Sequence, residues 1–406
     1  MIPGMLPRRG TRYGHERCFI ENKGYLAMRS TKNGNMERAP RRLRGLSGRR
    51  IAVALGVAVL TLGGCTGGPD QARDETVAEL YWPLPPEQPR IKYERSIRSR
   101  DDIGVTDTLS LTDSLLGERD QTPIKGLKKP YGVHVDRSGR MFVTDTGWGK
   151  VLVFDAANKK FDVWGVKGQG TLTKPIGVTS DASGRIYITD IAQQRIMVYD
   201  ENGVFVTAMG GSGELQTPAG IALDDTRRRI YVADTRKHDI AVYDFDGRRV
   251  STIGERGSEP GQFNYPTNVA VGRDGRLYVT DSMNFRVQIL APDGRPLKTF
   301  GSNGDRPGQF SRAKGIAVDS DGHIYVVDAA FGNYQIFDQD GRLMLYVGSI
   351  GQGDGQFRLP AGAYMAPDDK LYVVDQYNFR VQIFQYLGAP AADPAAASST
   401  VAPPPQ

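Results

Sequence analysis

Residues 324–328 read Ile-Tyr-Val-Val-Asp, and the same phrase returns as MFVTD at 141–145, IYITD at 186–190, IYVAD at 230–234, LYVTD at 277–281 and LYVVD at 371–375. β-Branched and aromatic residues of this density over five positions predict a buried strand, and the terminal aspartate marks where it ends. Six copies at regular spacing make it one component of a repeat.

Each copy is preceded by a short GIAV-like strand opened by Pro130, Pro175, Pro218, Pro266, Ala313 or Pro360, and followed by a strand like RIMVYD. The openings lie 45, 43, 48, 47 and 47 residues apart, the length of one four-stranded antiparallel blade. The fold class expected is therefore all-β, a six-bladed β-propeller.

The aspartates Asp145, Asp190, Asp234, Asp281, Asp328 and Asp375 are followed five residues later by Lys150, Arg195, Asp239, Arg286, Asn333 and Arg380. An acid repeated at the same place in every blade reads as a structural device rather than a metal ring. A short carboxylate at a strand end can accept local N–H bonds, and a base across the turn can pair with it. Blades three and five lack that base. Phe142, Tyr187, Tyr231, Tyr278, Tyr325 and Tyr372, one per blade, read as packing between sheets rather than a stacking ladder for a ligand.

The formal net charge of +6 is unevenly placed. Of 52 Lys+Arg and 46 Asp+Glu, residues 1–64 hold 13 and 3, which leaves 39 and 43 in the remainder and a net charge of −4 there. The leader has Arg41, Arg42, Arg44, Arg49 and Arg50, then an apolar run from Ile51 to Leu62, then small residues, the three parts of a secretory signal. The run is short for a membrane span. Residues 1–64 are expected to be a signal peptide, and Met36 would begin a signal of ordinary proportions. Leu62-Gly63-Gly64-Cys65 resembles the bacterial lipobox, whose cysteine takes a diacylglycerol thioether after cleavage. Cys18 would leave with the signal, so the exported chain would carry no disulfide.

With six in-phase copies, the residues resemble the NHL-repeat β-propellers, and with the lipobox they resemble the six-bladed propeller lipoproteins of Gram-negative bacteria. The resemblance covers roughly residues 80–388. It implies a chain anchored by lipid on Cys65 in the cell envelope; Thr66 after the cysteine resembles the outer-membrane sorting pattern. Residues 65–79 are read as the lipidated cysteine and tether, 80–128 as a closing strand and pre-repeat segment, 129–388 as the NHL repeats, and 389–406 as a disordered Ala/Pro-rich tail.

The sixth repeat lacks a fourth strand. Upstream, Pro89-Arg90-Ile91-Lys92-Tyr93-Glu94-Arg95-Ser96-Ile97 resembles the fourth strand of repeat five, Arg342–Ile350, and is expected to complete blade six and close the ring. Between it and the first repeat, Leu109, Leu111, Leu115 and Leu116 form a modest apolar group expected to lie against one face, as helix or loop.

In an antiparallel blade the links between blades and the second-to-third loops share one face. Those loops vary while the strands do not, and variable loops on a rigid scaffold carry recognition. The candidate partner-binding residues are Trp148, Arg236, Lys237, Phe285, Phe331, Tyr377 and Phe379, with Trp148 foremost because glycine flanks it. Gly261-Gln262-Phe263, Gly308-Gln309-Phe310 and Gly355-Gln356-Phe357 recur in successive links and read as turn-and-plug structure.

An enzyme of this architecture would need a metal site or nucleophile at the channel. His134, His238 and His323 fall at non-equivalent places. The peptide-amidating lyases, which are NHL-like, carry zinc histidines just after the residue that opens a repeat; here those positions are Tyr131, Ile176, Ala219, Thr267, Lys314 and Ala361. For a lactonase-like calcium site only Asn268, in place of a glycine, offers itself. A mature chain near −4 outside the cytoplasm does not suit nucleic acid. The reading is a monomeric, non-enzymatic scaffold without cofactor or metal, binding an envelope protein, peptide or glycan. The alternative is a metal-dependent propeller enzyme, lyase or lactonase, working through the channel.

Overall fold

The computed structural model describes residues 79–106, 124–211 and 213–388. The expected signal peptide, Cys65, most of the tether, Leu109, Leu111, Leu115, Leu116 and the tail from 389 lie outside the described residues. Among the described residues no helix is long and apolar enough to cross a membrane.

Six antiparallel sheets follow one another. Blade one is Pro130–Val135, Met141–Asp145, Lys150–Asp155 and Lys160–Trp164. Blades two to five repeat this plan, opening at Pro175, Pro218, Pro266 and Ala313. Blade six is Pro360–Met365, Lys370–Asp375 and Arg380–Tyr386, completed by Ile91–Ile97. The chain is a six-bladed β-propeller.

The sequence pattern follows from how blades stack. Second strands are covered on both faces by neighbouring blades, so MFVTD, IYITD, LYVTD and IYVVD are buried at all five positions. Fourth strands form the outer edge and alternate, as in Lys160–Trp164 and Leu343–Val347. The opening proline, which has no N–H to give, begins a strand where no ladder bond is lost.

The core is six clusters, one at each interface between neighbouring blades. The repeated aromatics lie in them: Phe142, Tyr187, Tyr231, Tyr278 and Tyr325 are buried, and Tyr372 packs against the cluster between blades six and one. Phe263, Phe310 and Phe357 are fully buried plugs in the links. Their neighbours Gly254, Gly301 and Gly348 have positive φ and touch the phenylalanine rings so closely that a Cβ would collide.

The closing strand pairs as expected, with Ile91 opposite Tyr386, Tyr93 opposite Phe384 and Ile97 opposite Val381, and a bulge between Tyr93 and Arg95. Ile91 and Ile97 are buried in the clusters on the two faces of blade six, each contributing roughly 2–3 kcal/mol of burial. Beyond the expectation, Tyr81–Trp82 adds a fifth, outermost strand against Ile91 and Lys92. Trp82 meets the Phe384 ring edge-on at 5.9 Å. Of the pre-repeat segment, Arg100–Ile103 forms a 3-10 turn capped by Ser99, and Ile103 enters the cluster between blades six and one.

Candidate functional site

First strands start, and second strands end, on the same face of the ring, so that face carries the inter-blade links and the second-to-third loops. The six strand-end aspartates, all fully buried, tie these two sets of backbone together. Asp145 accepts from Lys128 N at 2.7 Å and Lys129 N at 3.0 Å in the link, and from Gly147 N and Trp148 N at 2.9 and 3.1 Å in the loop. Asp190 does the same with Thr173, Lys174, Ala192 and Gln193, and Asp328 with Ser311, Arg312, Ala330 and Phe331. The carboxylate is a structural clasp.

The base five residues on is bonded to it in two blades only. Arg286 Nε donates to Asp281 at 2.7 Å and Arg380 Nε to Asp375 at 2.8 Å. In these blades the loop is a 3-10 turn ending at Phe285 or Phe379 with φ of 54°. That turn offers the carboxylate an asparagine Nδ2, from Asn284 or Asn378, in place of loop N–H groups, and leaves room for the guanidinium. In blades one and two the backbone fills the carboxylate, so Lys150 donates instead to the carbonyls of Gly149 and Leu172, and Arg195 is exposed without an ion pair. In blade three, Asp239 lies 3.6 Å from Arg249, and burial pushes its carboxyl up to about 6.

The candidate binding residues divide into three groups. Tyr377 and Phe379 of blade six are 47% and 50% exposed, on one loop whose base is fixed by Asn378 and Arg380. Arg236 is also exposed. Trp148, Phe285 and Phe331 are half-buried: the Trp148 indole donates to Gly126 O at 3.0 Å with the Lys128 ammonium 4.4 Å from the ring, and Phe285 packs on the cluster between blades four and five. Lys237 is spent on the carbonyls of Gly213 and Glu214. The glycines beside Trp148 serve packing: a Cβ on Gly149 would stand 2.7 Å from Thr173 O. Two exposed side chains of this face were not singled out from sequence, Tyr265, which stacks edge-on against His238 at 4.5 Å, and Met283. Single apolar residues in loops carry no periodic signal.

All six first strands line a central cavity of about 250 Å³. The first strands come closest to one another in a waist formed by Gly132, Gly177, Gly220, Asn268, Gly315 and Gly362; a Cβ on Gly132 would meet Ile176 O at 2.3 Å, and one on Gly315 would meet Ala361 O at 2.5 Å. Asn268 Oδ1 accepts from Val269 N at 2.9 Å, so that oxygen is engaged by its own strand. The histidines go three separate ways. His134 Nε2 is 2.7 Å from Ser180 Oγ, and burial pushes its imidazole down to about 4, so it is neutral. His238 Nδ1 accepts from Tyr265 N, and His323 Nδ1 pairs with the buried Asp319 at 2.9 Å. Among the described residues no three of His, Cys, Asp or Glu converge.

At the link-side mouth, Lys314 reaches across blade six to place its ammonium 5.0 Å from the ring centroid of Tyr131 in blade one. Burial first, then the charges of Arg312 and Lys129, bring its pKa down to about 8. A lysine where other repeats carry mainly small or apolar residues was the available signal.

Comparison with known proteins agrees with the architecture. The family described as 6-bladed beta-propeller matches residues 167–254, and NHL repeats match 263–290, 310–337 and 357–384, the three segments that begin at the phenylalanine plugs. No curated protein sequence matches. An auxiliary nutrient binding protein from Bacteroides thetaiotaomicron is similar at 12% identity and a TM-score of 0.53, over 65% of this chain and 71% of that one. Virginiamycin B lyase from Staphylococcus aureus aligns at 14% identity and a TM-score of 0.47, over 63% and 94%. Likeness at this level concerns the fold.

Proposed function

From a six-bladed β-propeller that carries NHL repeats, we propose a binding scaffold of the bacterial envelope that takes a protein, peptide or glycan on its link-side face. The observation that carries this reading is the Tyr377–Phe379 loop. Two large rings stand about half exposed on backbone fixed from beneath by fully buried Arg380 and Asp375. Aromatic anchors whose base is already ordered lose little entropy on binding, the property that makes such residues dominate interfaces.

The scaffold would be monomeric and free of nucleic acid, and held at the membrane by lipid on Cys65, in the outer membrane of a Gram-negative cell. Mass analysis of the mature N-terminus tests the anchor: a diacylglyceryl cysteine at position 65 is expected, and an unmodified or differently cleaved terminus would remove it. For the face, crosslinked capture from native envelope with the full chain is compared with Tyr377→Ala/Phe379→Ala. Loss of the captured partner at unchanged melting temperature is expected; undiminished capture would move the site elsewhere.

A further inference from the structure

We infer that the link-side mouth of the channel is a receptor for a multiply charged anion, gripped by Lys129, Lys174, Arg312, Lys314 and Arg358. The inference rests on the reading of this face as a binding surface and names a ligand class for its centre.

The five cations are far apart in sequence, and the ring places them on one face at the openings of neighbouring blades, where Arg312 and Lys129 act on Lys314. Lys129 and Lys174 immediately precede the prolines that open blades one and two, Arg312 and Lys314 flank Ala313 at the opening of blade five, and Arg358 stands two residues before Pro360. First strands begin at the mouth, so these positions form an arc over the consecutive blades five, six, one and two. Among the described residues none of the five has an ion pair. Elsewhere on the ring pairing is common, as in Arg140–Asp136, Arg185–Asp181 and Arg342–Asp338.

Among the described residues, the carboxylates near the arc are engaged by other partners or form no ion pair with it. The strand-end aspartates are buried and held by N–H groups or by Arg286 and Arg380. In the link from blade five to six, Asp354 is bonded to Tyr93 and Arg380. The link from blade one to two, residues 165–174, contains no acid. Glu214, Glu255 and Glu259 belong to the links after blades two and three, and Asp305, in the link that leads to Arg312, forms no ion pair with any of the five.

Lys314 is the centre of the arc. It is half-buried against Tyr131, and its nearest charged neighbours in effect are other cations, Arg312 and Lys129. Convergent cations in a partly desolvated mouth repel one another, and an anion bound between them converts that repulsion into attraction. Several cations suit a ligand with two or more negative charges. The three ammonium groups act as point charges and the two guanidinium groups as planar forks that match carboxylate or phosphate oxygens, so the class includes condensed phosphates and di- or tricarboxylates.

The test is isothermal titration of the full chain in detergent with tripolyphosphate and, separately, citrate, at low salt. One-to-one binding of at least one probe is expected, weakened more than tenfold by Lys314→Met and by several hundred millimolar salt, and unchanged by Arg137→Gln, whose exposed side chain lies at the opposite face. The preferred probe tells phosphate from carboxylate. At pH 8 the binding heat should vary with the buffer's ionisation heat, because the anion draws a proton onto Lys314, and this dependence should vanish in Lys314→Met. Absence of binding by both probes, or equal binding by a folded Lys129→Gln/Arg312→Gln/Lys314→Met variant, overturns the anion site. Partner capture that still depends on Tyr377 and Phe379 would then leave the scaffold reading intact.

Discussion

Arg380 and Asp375 form an ion pair in which Nε stands 2.8 Å from Oδ2 and solvent reaches neither side chain. The guanidinium also donates to the carbonyls of Gly353 and Gln356, so one side chain fastens a second-to-third loop to the link before it. Arg380→Met leaves the buried Asp375 carboxylate without its cation and should cost about 3 kcal/mol in denaturant unfolding. Arg195→Met, at the same place in blade two but exposed, should stay within about 0.5 kcal/mol of wild type. Equal costs would mean that the pairing in blade six is incidental.

Removing residues 89–97 takes the closing strand from blade six and bares the edge of Arg380–Tyr386 along with Val381 and Phe384. Melting is expected to lose cooperativity and shift down by many degrees. A truncated chain that melts like the full one would show that the ring does not depend on its closure.

The glycine waist makes a sharper prediction. Gly132→Ala sets a methyl 2.3 Å from a carbonyl of the next blade, and the backbone there cannot yield without moving the blade; a loss of about 3 kcal/mol or more is expected. Gly139→Ala, in an open turn at φ of 84°, should cost about 1 kcal/mol, from backbone strain alone. Urea midpoints of the two variants make the comparison.

Asp239 gives the fold a pH dependence. Its carboxyl titrates at about 6 in the folded chain, chiefly through burial, against roughly 4 when unfolded. The folded state therefore holds the proton more tightly, and stability falls as pH rises from about 4 to about 6, with the full penalty above that window. Asp239→Asn, which installs the residue that blade five has as Asn333, should raise the melting temperature at pH 7.5, by a gain on the order of 1–2 kcal/mol, and do nothing at pH 4. A gain equal at both pH values would exclude charge as its cause.

The fold was legible because its determinants repeat: one five-residue phrase, one proline and one aspartate per blade. The closing strand could be read from a gap in blade six and a likeness to Arg342–Ile350. Tyr81–Trp82, two residues long, has no period to read. The site was less legible for reasons particular to each residue. Whether the base pairs with the strand-end aspartate depends on whether backbone or an asparagine side chain fills the other lone pairs, which the turn at Phe285 and Phe379 decides. Trp148 looked free because glycines flank it, yet those glycines answer to Thr173, Lys128 and Lys129 across the link. The basic mouth is assembled from positions 129 to 358 and exists only once the ring does.

Ring closure by Ile91–Ile97 also sets an order of events. This segment is made among the first of the propeller, and its partner, Arg380–Tyr386, among the last. Five blades can form while an unpaired strand waits at one end, but the circle is sealed only when nearly the whole chain has emerged. Until then two adhesive edges are open to other chains. The rate of that last pairing, against the rate of intermolecular capture, would govern how much of the protein matures.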